Sequence, residues 1–157
     1  MSRPALHALA FLGAAFLGVI APEARPASGD VATASGLTAY LGVMPGEIVK
    51  GHPSTHPEGT MHGGPPRGAH EYHVVVAIFD ATIDARVSDA TVTAKVSGLG
   101  LSGPEKALEP MAIANKMTYG GFFELPGADL YTIRVTIKRP GSQGPVVLDF
   151  RYDHRSR

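Results

Sequence analysis

Histidine and methionine, two residue types that bind transition metals, gather in one part of this sequence. Five of the 7 histidines lie between positions 52 and 73, namely His52, His56, His62, His70 and His73. Met61 stands beside His62, and Met44 precedes the stretch. Imidazole and thioether groups bind copper without a thiolate, and the thioether favours Cu(I). The cluster therefore predicts a copper site.

The two last histidines of the cluster differ from the others in their surroundings. His70 and His73 stand where a strand is predicted to begin, so the backbone would hold them in fixed positions. Alternation along that strand puts Glu71 and His73 on one face and His70 on the other. His52 and His56 fall in a Gly/Pro-rich stretch, where a histidine is more often a solvated loop residue than a ligand. His73 is the leading candidate ligand and His70 follows it.

Composition excludes several other chemistries. The chain has 157 residues, 14 basic and 14 acidic side chains and no cysteine. Thiolate metal sites, iron–sulfur clusters and thiol catalysis are excluded, and the balanced charge argues against nucleic-acid binding. The segment HEYH, residues 70–73, is one residue shorter than a helical HExxH zinc motif, and no GxSxG motif occurs. We therefore expect a binding protein, not an enzyme.

The N-terminus has the pattern of an export signal. Arg3 precedes an apolar run at 8–20 and a stretch rich in small residues at 21–34. An apolar run of this length spans only about 20 Å of a hydrocarbon core roughly 30 Å thick, so a stable membrane span is not expected after cleavage. Cleavage after Ala34 or, earlier, after Ala24 would release a periplasmic or otherwise exported protein. Residues 1–34 are assigned to the signal peptide and linker, and residues 35–157 to one domain.

The rest of the chain is expected to be all-β. Strands are predicted at 37–44, 72–79, 91–97, 108–113, 117–125, 130–138 and 146–152, with the fourth interrupted by Pro110 and placed at an edge. The loop at 45–70 holds too many glycines and prolines for regular structure, and 98–103 (GLGLSG) is interpreted as a loop. About seven strands without a convincing helix predict an immunoglobulin-like antiparallel β-sandwich.

Residues 109–139 resemble a segment of the periplasmic iron-transport-associated proteins, which are small immunoglobulin-like domains that bind copper or iron beside an iron permease. The matching motifs are Pro110-Met111, Tyr119-Gly120, Leu125-Pro126-Gly127 and the strand pattern at 131–137. That family also carries His and Glu two positions apart on an early strand, as Glu71 and His73 are here in reversed order. The resemblance implies that Met111 and the 71/73 pair face one metal site, with iron as the alternative to copper. More distantly, the chain is similar to YtkA-like, FixH-like and copper-resistance sandwich domains.

One position departs from the family pattern. The histidine that precedes Tyr-Gly in the family is Thr118 here, so Met117, His70 or a histidine of the loop would have to replace it. Both Met111 and Met117 are also compatible with ordinary core packing. In the resulting hypothesis, His73 and Met111 form the fixed half of the site, while His52, His56, Met61 and His62 form a movable half.

The function expected from these features is copper binding for envelope metal uptake, buffering or delivery. The partners expected are the metal ion and an envelope metal transporter or oxidase, and a shared metal would also allow a homodimer. Two alternatives remain at this point. One is a structural or interaction module without metal, and the other is an accessory subunit or maturation factor of a redox enzyme.

Overall fold

The computed structural model describes residues 27–50, 68 and 70–155. Within these ranges the chain forms strands and one short helix, with the following bounds: β1 Ala27–Ser28, β2 Val31–Ala34, β3 Leu37–Pro45, α1 Gly46–Lys50, β4 Glu71–Asp80, β5 Thr91–Gly98, β6 Leu101–Ile113, β7 Lys116–Glu124, β8 Leu130–Lys138 and β9 Val146–Asp153. The predicted all-β, antiparallel fold is confirmed, although the described residues contain nine strands where about seven were expected.

The strands follow one continuous order, β1-β9-β8-β5-β6-β7-β4-β3-β2, in which β1 and β9 pair in parallel and all other neighbours are antiparallel. The long strand β6 pairs with β5 over residues 101–108 and with β7 over residues 109–113. It therefore belongs to both layers of the sandwich. We call the layer formed by β2, β3, β4, β7 and residues 109–113 the site sheet.

The core lies between the two layers because the strands alternate buried and exposed side chains. Val92, Ala94 and Val96 face inward from β5, as their alternation predicts, and Val74 and Val76 face inward from β4. None of the helical residues that the structure describes forms a segment long and apolar enough to cross a membrane. The outer face of the site sheet therefore lies outside the core.

Strand β6 differs from its prediction in length. It begins at Leu101, not at residue 108, because residues 99 and 100 make a tight turn in which Gly100 has a φ of +73°. The 98–103 segment is consequently a β-hairpin connection, and its interpretation as a loop was wrong. β6 is continuous through Pro110 and lies between β5 and β7, so the prediction of an interrupted strand at an edge of the sheet was wrong. Pro110 is accommodated because β6 pairs with β7 alone from Glu109 onward.

Two further segments are more ordered than expected. Residues 46–50 form helix α1, although a lack of regular structure was predicted for that part of the chain. Residues 27–28 and 31–34 form β1 and β2, so the fold begins within the segment assigned to the linker. Ser35 and Gly36, with φ values of 48° and 77°, make the two-residue turn into β3. Cleavage of the signal peptide itself remains a prediction.

Candidate metal centre

The outer face of the site sheet brings together side chains from four strands. His73 on β4 lies opposite Met44 on β3 and opposite Phe122 on β7. Val74 and Val76 point into the core, so alternation turns His73 to the outer face. Met111 on β6 is opposite Thr118, which lies on the same face of β7 as Gly120 and Phe122. The candidate site is therefore built on strands throughout.

Gly120 is the point on which the two metal-binding side chains converge. A β-carbon placed on Gly120 would lie 2.5 Å from Met111 Sδ and 2.8 Å from His73 Nε2. Both donor atoms thus approach one small space above the glycine, which any other side chain would fill. Imidazole nitrogen together with thioether sulfur is a donor set that suits copper, and Cu(I) in particular. The two residues present therefore fit a copper ion.

The side chains around this space are buried although they lie outside the hydrophobic core. His73 is 2 % exposed and Met111 is 3 % exposed, yet neither belongs to the core cluster. The Phe122 ring stacks on the His73 imidazole with a centroid distance of 4.7 Å and an interplanar angle of 28°. This stacking limits rotation of the imidazole, so that Nε2 is held toward Gly120.

Thr118 occupies the position at which the resemblance placed a family histidine. Its side chain is buried, and its hydroxyl donates a hydrogen bond of 3.1 Å to the main-chain oxygen of Met111. This hydrogen bond links β7 to β6 beside the His73 and Met111 side chains. In this chain the residue holds the Met111 main chain in place.

Not all of the other candidate ligands lie on the outer face of the site sheet. Glu71 shares the outer face with His73 and lies opposite Glu124. His70 is exposed and precedes β4, and its main-chain oxygen accepts a 2.9 Å hydrogen bond from the Leu125 amide. Met117 lies on the opposite face of β7, where it packs against the core. The structure brings Glu71 to the face of His73 and Met111, and it does not bring His70 or Met117 there.

Four candidate ligands, His52, His56, Met61 and His62, lie outside the described residues. Among the residues that are described, no group of three or more histidine and carboxylate side chains is arranged to hold a metal ion. The candidate centre is therefore not a conventional histidine and carboxylate cluster. Its distinguishing donor is the Met111 sulfur.

Two residues at the centre were missing from the predicted site. Met44 directly faces His73 across the β3–β4 pair, and Gly120 supplies the space between the donors. Met44 was visible in the sequence as the methionine that precedes the histidine cluster. Its pairing with His73 depends on the register of β3 and β4. The segment between these strands is long, so the register cannot be predicted from the sequence.

His154 illustrates a histidine with a structural role. Its Nε2 lies 2.6 Å from the Tyr72 hydroxyl, and its Nδ1 lies 2.7 Å from the Gly127 carbonyl oxygen. Because a carbonyl oxygen only accepts, Nδ1 carries the hydrogen and Nε2 accepts from the phenol. Both ring nitrogens are thus engaged in joining β9 to β4 and to the turn before β8.

Solved structures with the same fold include copper-binding proteins. A copper-bound glutamate-to-glutamine variant of FetP from uropathogenic Escherichia coli is 14% identical, with a TM-score of 0.59 over 80% of this chain and 93% of that chain. A copper-bound methionine-to-isoleucine variant of the P19 protein of Campylobacter jejuni is 13% identical, with a TM-score of 0.57 over 80% and 94%. A DUF4426 family protein from Pseudomonas aeruginosa is 13% identical, with a TM-score of 0.54 over 78% and 94%.

These likenesses establish a common fold at low sequence identity. No protein-family model matches this sequence. No curated protein sequence matches it either. The class defined by the fold is thus a small antiparallel β-sandwich whose solved examples include copper-bound proteins, and one of these, FetP, was expressed recombinantly in the periplasm.

Proposed function

We propose that this protein binds a copper ion on the outer face of the site sheet, with His73 Nε2 and Met111 Sδ as the two fixed donors. The observation that carries the proposal is the approach of both atoms to the space above Gly120, at 2.8 Å and 2.5 Å from the point that a β-carbon on this residue would occupy. The copper-bound state of the FetP and P19 relatives in fold supports the choice of metal.

Completion of the coordination sphere is assigned to the same face. Met44 lies opposite His73, and Glu71 stands two positions before it on β4. A second thioether at Met44 strengthens the preference for Cu(I), whereas the Glu71 carboxylate suits Cu(II) or iron. The oxidation state that binds more tightly therefore indicates which of these two side chains completes the site.

The biological role that follows is copper handling in the cell envelope. Binding and release of an ion need no bond-making chemistry on a substrate. In this proposal the protein is exported and then buffers copper or delivers it to an envelope transporter. The loop histidines His52, His56 and His62 would contribute to capture of the ion.

A Cu(I) and Cu(II) titration, read by affinity and by thermal stability, tests the site. An ion bound only to the folded state adds about 2.7 kcal/mol at 100 times its dissociation constant. We expect the Met111→Leu and His73→Ala variants to weaken binding at least about tenfold, because each removes a donor. Met117→Leu is the matched methionine control, since Met117 packs against the core.

Gly120→Ala gives a sharper test because it adds one methyl group and removes no donor. The added carbon would occupy the space between Met111 Sδ and His73 Nε2, so copper affinity should fall sharply. Gly42→Ala is the control on the same face, where the added carbon meets only the Val75 carbonyl oxygen at 3.9 Å. Copper binding that is unchanged in all three site variants would overturn the proposal, and loss only on replacing His52, His56 and His62 would move the site to the loop.

A further inference from the structure

The register of the site sheet places a glutamate directly beside the candidate metal centre. Gly120 on β7 lies opposite Glu109 on β6 and opposite Val75 on β4. We call residues that lie opposite one another across paired strands a row. Members of a row point to the same face of the sheet, so Glu109 shares the outer face with Gly120. Met111, two positions further along β6, faces the same way.

The Glu109 side chain is long enough to reach the space in which the two donor atoms meet. Opposite residues of an antiparallel pair have β-carbons about 4.5–5.5 Å apart. The point that a β-carbon on Gly120 would occupy is 2.5 Å from Met111 Sδ and 2.8 Å from His73 Nε2. Beyond its own β-carbon, Glu109 continues by one methylene group and the carboxylate. Its oxygen atoms can therefore approach an ion held by the other two residues.

Glu71, the carboxylate that was expected from the sequence, lies further along the sheet. It is opposite Glu124 and stands four positions before Val75, the β4 residue in the row of Gly120. At about 3.3 Å per residue, its main chain is about 13 Å from that row along the strand. Of the two glutamates, Glu109 is thus the one in the same row as the space between the donors.

The donor pair has no negative charge with which to balance a metal ion. Imidazole binds metals in its neutral form, and a thioether is neutral as well. Both His73 and Met111 are buried, so an ion between them would lose most of its hydration and would be unfavourable without a counter-charge. Glu109 is the exposed member of the three residues. Its carboxylate would supply the charge that the buried pair lacks.

We infer that Glu109 is a carboxylate donor to the copper ion and that it shifts the preference of the site toward Cu(II). The inference rests on the proposed function, because it concerns the same ion. Carboxylate oxygen suits Cu(II), whereas the Met111 thioether favours Cu(I), so the two residues act in opposite directions. Glu109 is a donor in addition to Met44 and Glu71, and its role excludes neither of them.

The test is Glu109→Gln, which removes the charge and preserves the size of the side chain. We expect the affinity for Cu(II) to fall about tenfold, with little change in the affinity for Cu(I). The reduction potential of the bound copper follows the ratio of these affinities, so it should rise by about 59 mV. Competition titrations with each ion and potentiometry of the copper-loaded protein measure both effects. The electron paramagnetic resonance spectrum of the Cu(II) form should change with the loss of the oxygen donor.

Glu124→Gln is the matched control, since Glu124 is an exposed glutamate on the same face in the row of Glu71. It should leave the potential and the spectrum unchanged. An equal rise in potential in both variants would indicate a general effect of charge and would overturn the inference.

Two further outcomes separate this inference from the proposed function. If His73→Ala and Met111→Leu weaken copper binding while Glu109→Gln changes neither affinity nor potential, only the role of Glu109 is wrong. If copper binding is unchanged in His73→Ala and in Met111→Leu, the proposed site and the role of Glu109 are both overturned.

Discussion

At the scale of single residues, the absence of a side chain at Gly120 is as important as the presence of His73 and Met111. The donor atoms approach the glycine because nothing on β7 occupies that space. Thr118 and Phe122, its neighbours on the same face, fix Met111 and His73 by a hydrogen bond and by ring stacking. These two contacts hold the residues of the candidate site in fixed positions.

The buried phenol of Tyr119 leads to a prediction about the stability of the protein in alkaline solution. Burial is the main cause that raises the pKa of its phenol above 10.0, while a hydrogen bond from the Ala90 amide acts in the opposite direction. Since the folded state favours the protonated phenol, its contribution is fully present below about pH 10 and is lost as the pH rises through the folded pKa.

Urea unfolding between about pH 8 and pH 11 measures this effect. The free energy of unfolding should decline above about pH 10, and the decline should be smaller in Tyr119→Phe. Burial raises the pKa of the Tyr131 phenol in the same direction, so part of the decline should remain in that variant. An equal decline with and without Tyr119 would show that this phenol does not titrate differently on folding.

At the scale of elements, the β6–β7 hairpin joins the two strands that carry Met111 and Gly120. Its turn places Ala114 at φ 48° and Asn115 at φ 59°, the left-handed region that disfavours residues with a β-carbon. Asparagine tolerates this region better than alanine does. The turn therefore stores strain at Ala114, and the strain can be released without touching the site.

Ala114→Gly should raise the free energy of unfolding by about 0.5–1 kcal/mol, because glycine adopts the left-handed conformation at no steric cost. Thermal or urea unfolding of the metal-free protein measures the change. Ala112→Gly serves as the control, since Ala112 is an exposed residue within β6 and glycine destabilises a strand. Destabilisation of equal size by both substitutions would contradict the strain at Ala114.

The elements also show what could be predicted from sequence. Six of the predicted strands appear near their expected limits because each has an apolar run or an apolar alternation of strand length. The start of β6 was missed because glycine and proline, which usually end strands, here form a bulge within β6. His73 and Met111 both approach Gly120 in the structure, and their role as metal ligands stays a prediction. The pairing of Met44 with His73 depends on a strand register that the sequence does not display.

At the scale of the whole molecule, the first strands complete the sheet. β2 pairs with β3 along its whole length, and the Leu41 amide donates a 2.7 Å hydrogen bond to the Asp30 carbonyl oxygen. Ala32 is buried in the core, and β1 pairs with β9 at the other end of the strand order. Of the two expected cleavage positions, the one after Ala24 leaves both strands in the mature protein.

A protein that begins at Ser35 should therefore be less stable than one that begins at Pro26. Loss of β2 exposes the edge of β3 and removes Ala32 from the core, so we expect the Tm to fall by at least about 5 °C. Calorimetry of the two metal-free proteins makes the comparison. An identical Tm would show that β1 and β2 add nothing to the stability of the sandwich.

The pairing of β6 with β5 in one half and with β7 in the other affects how the molecule unfolds. One half of this strand is a member of the layer that holds Lys106, and the other half is a member of the layer that holds Met111. One continuous strand therefore belongs to both layers. Opening of one layer should therefore be thermodynamically linked to opening of the other, and we expect the sandwich to unfold as a single cooperative unit.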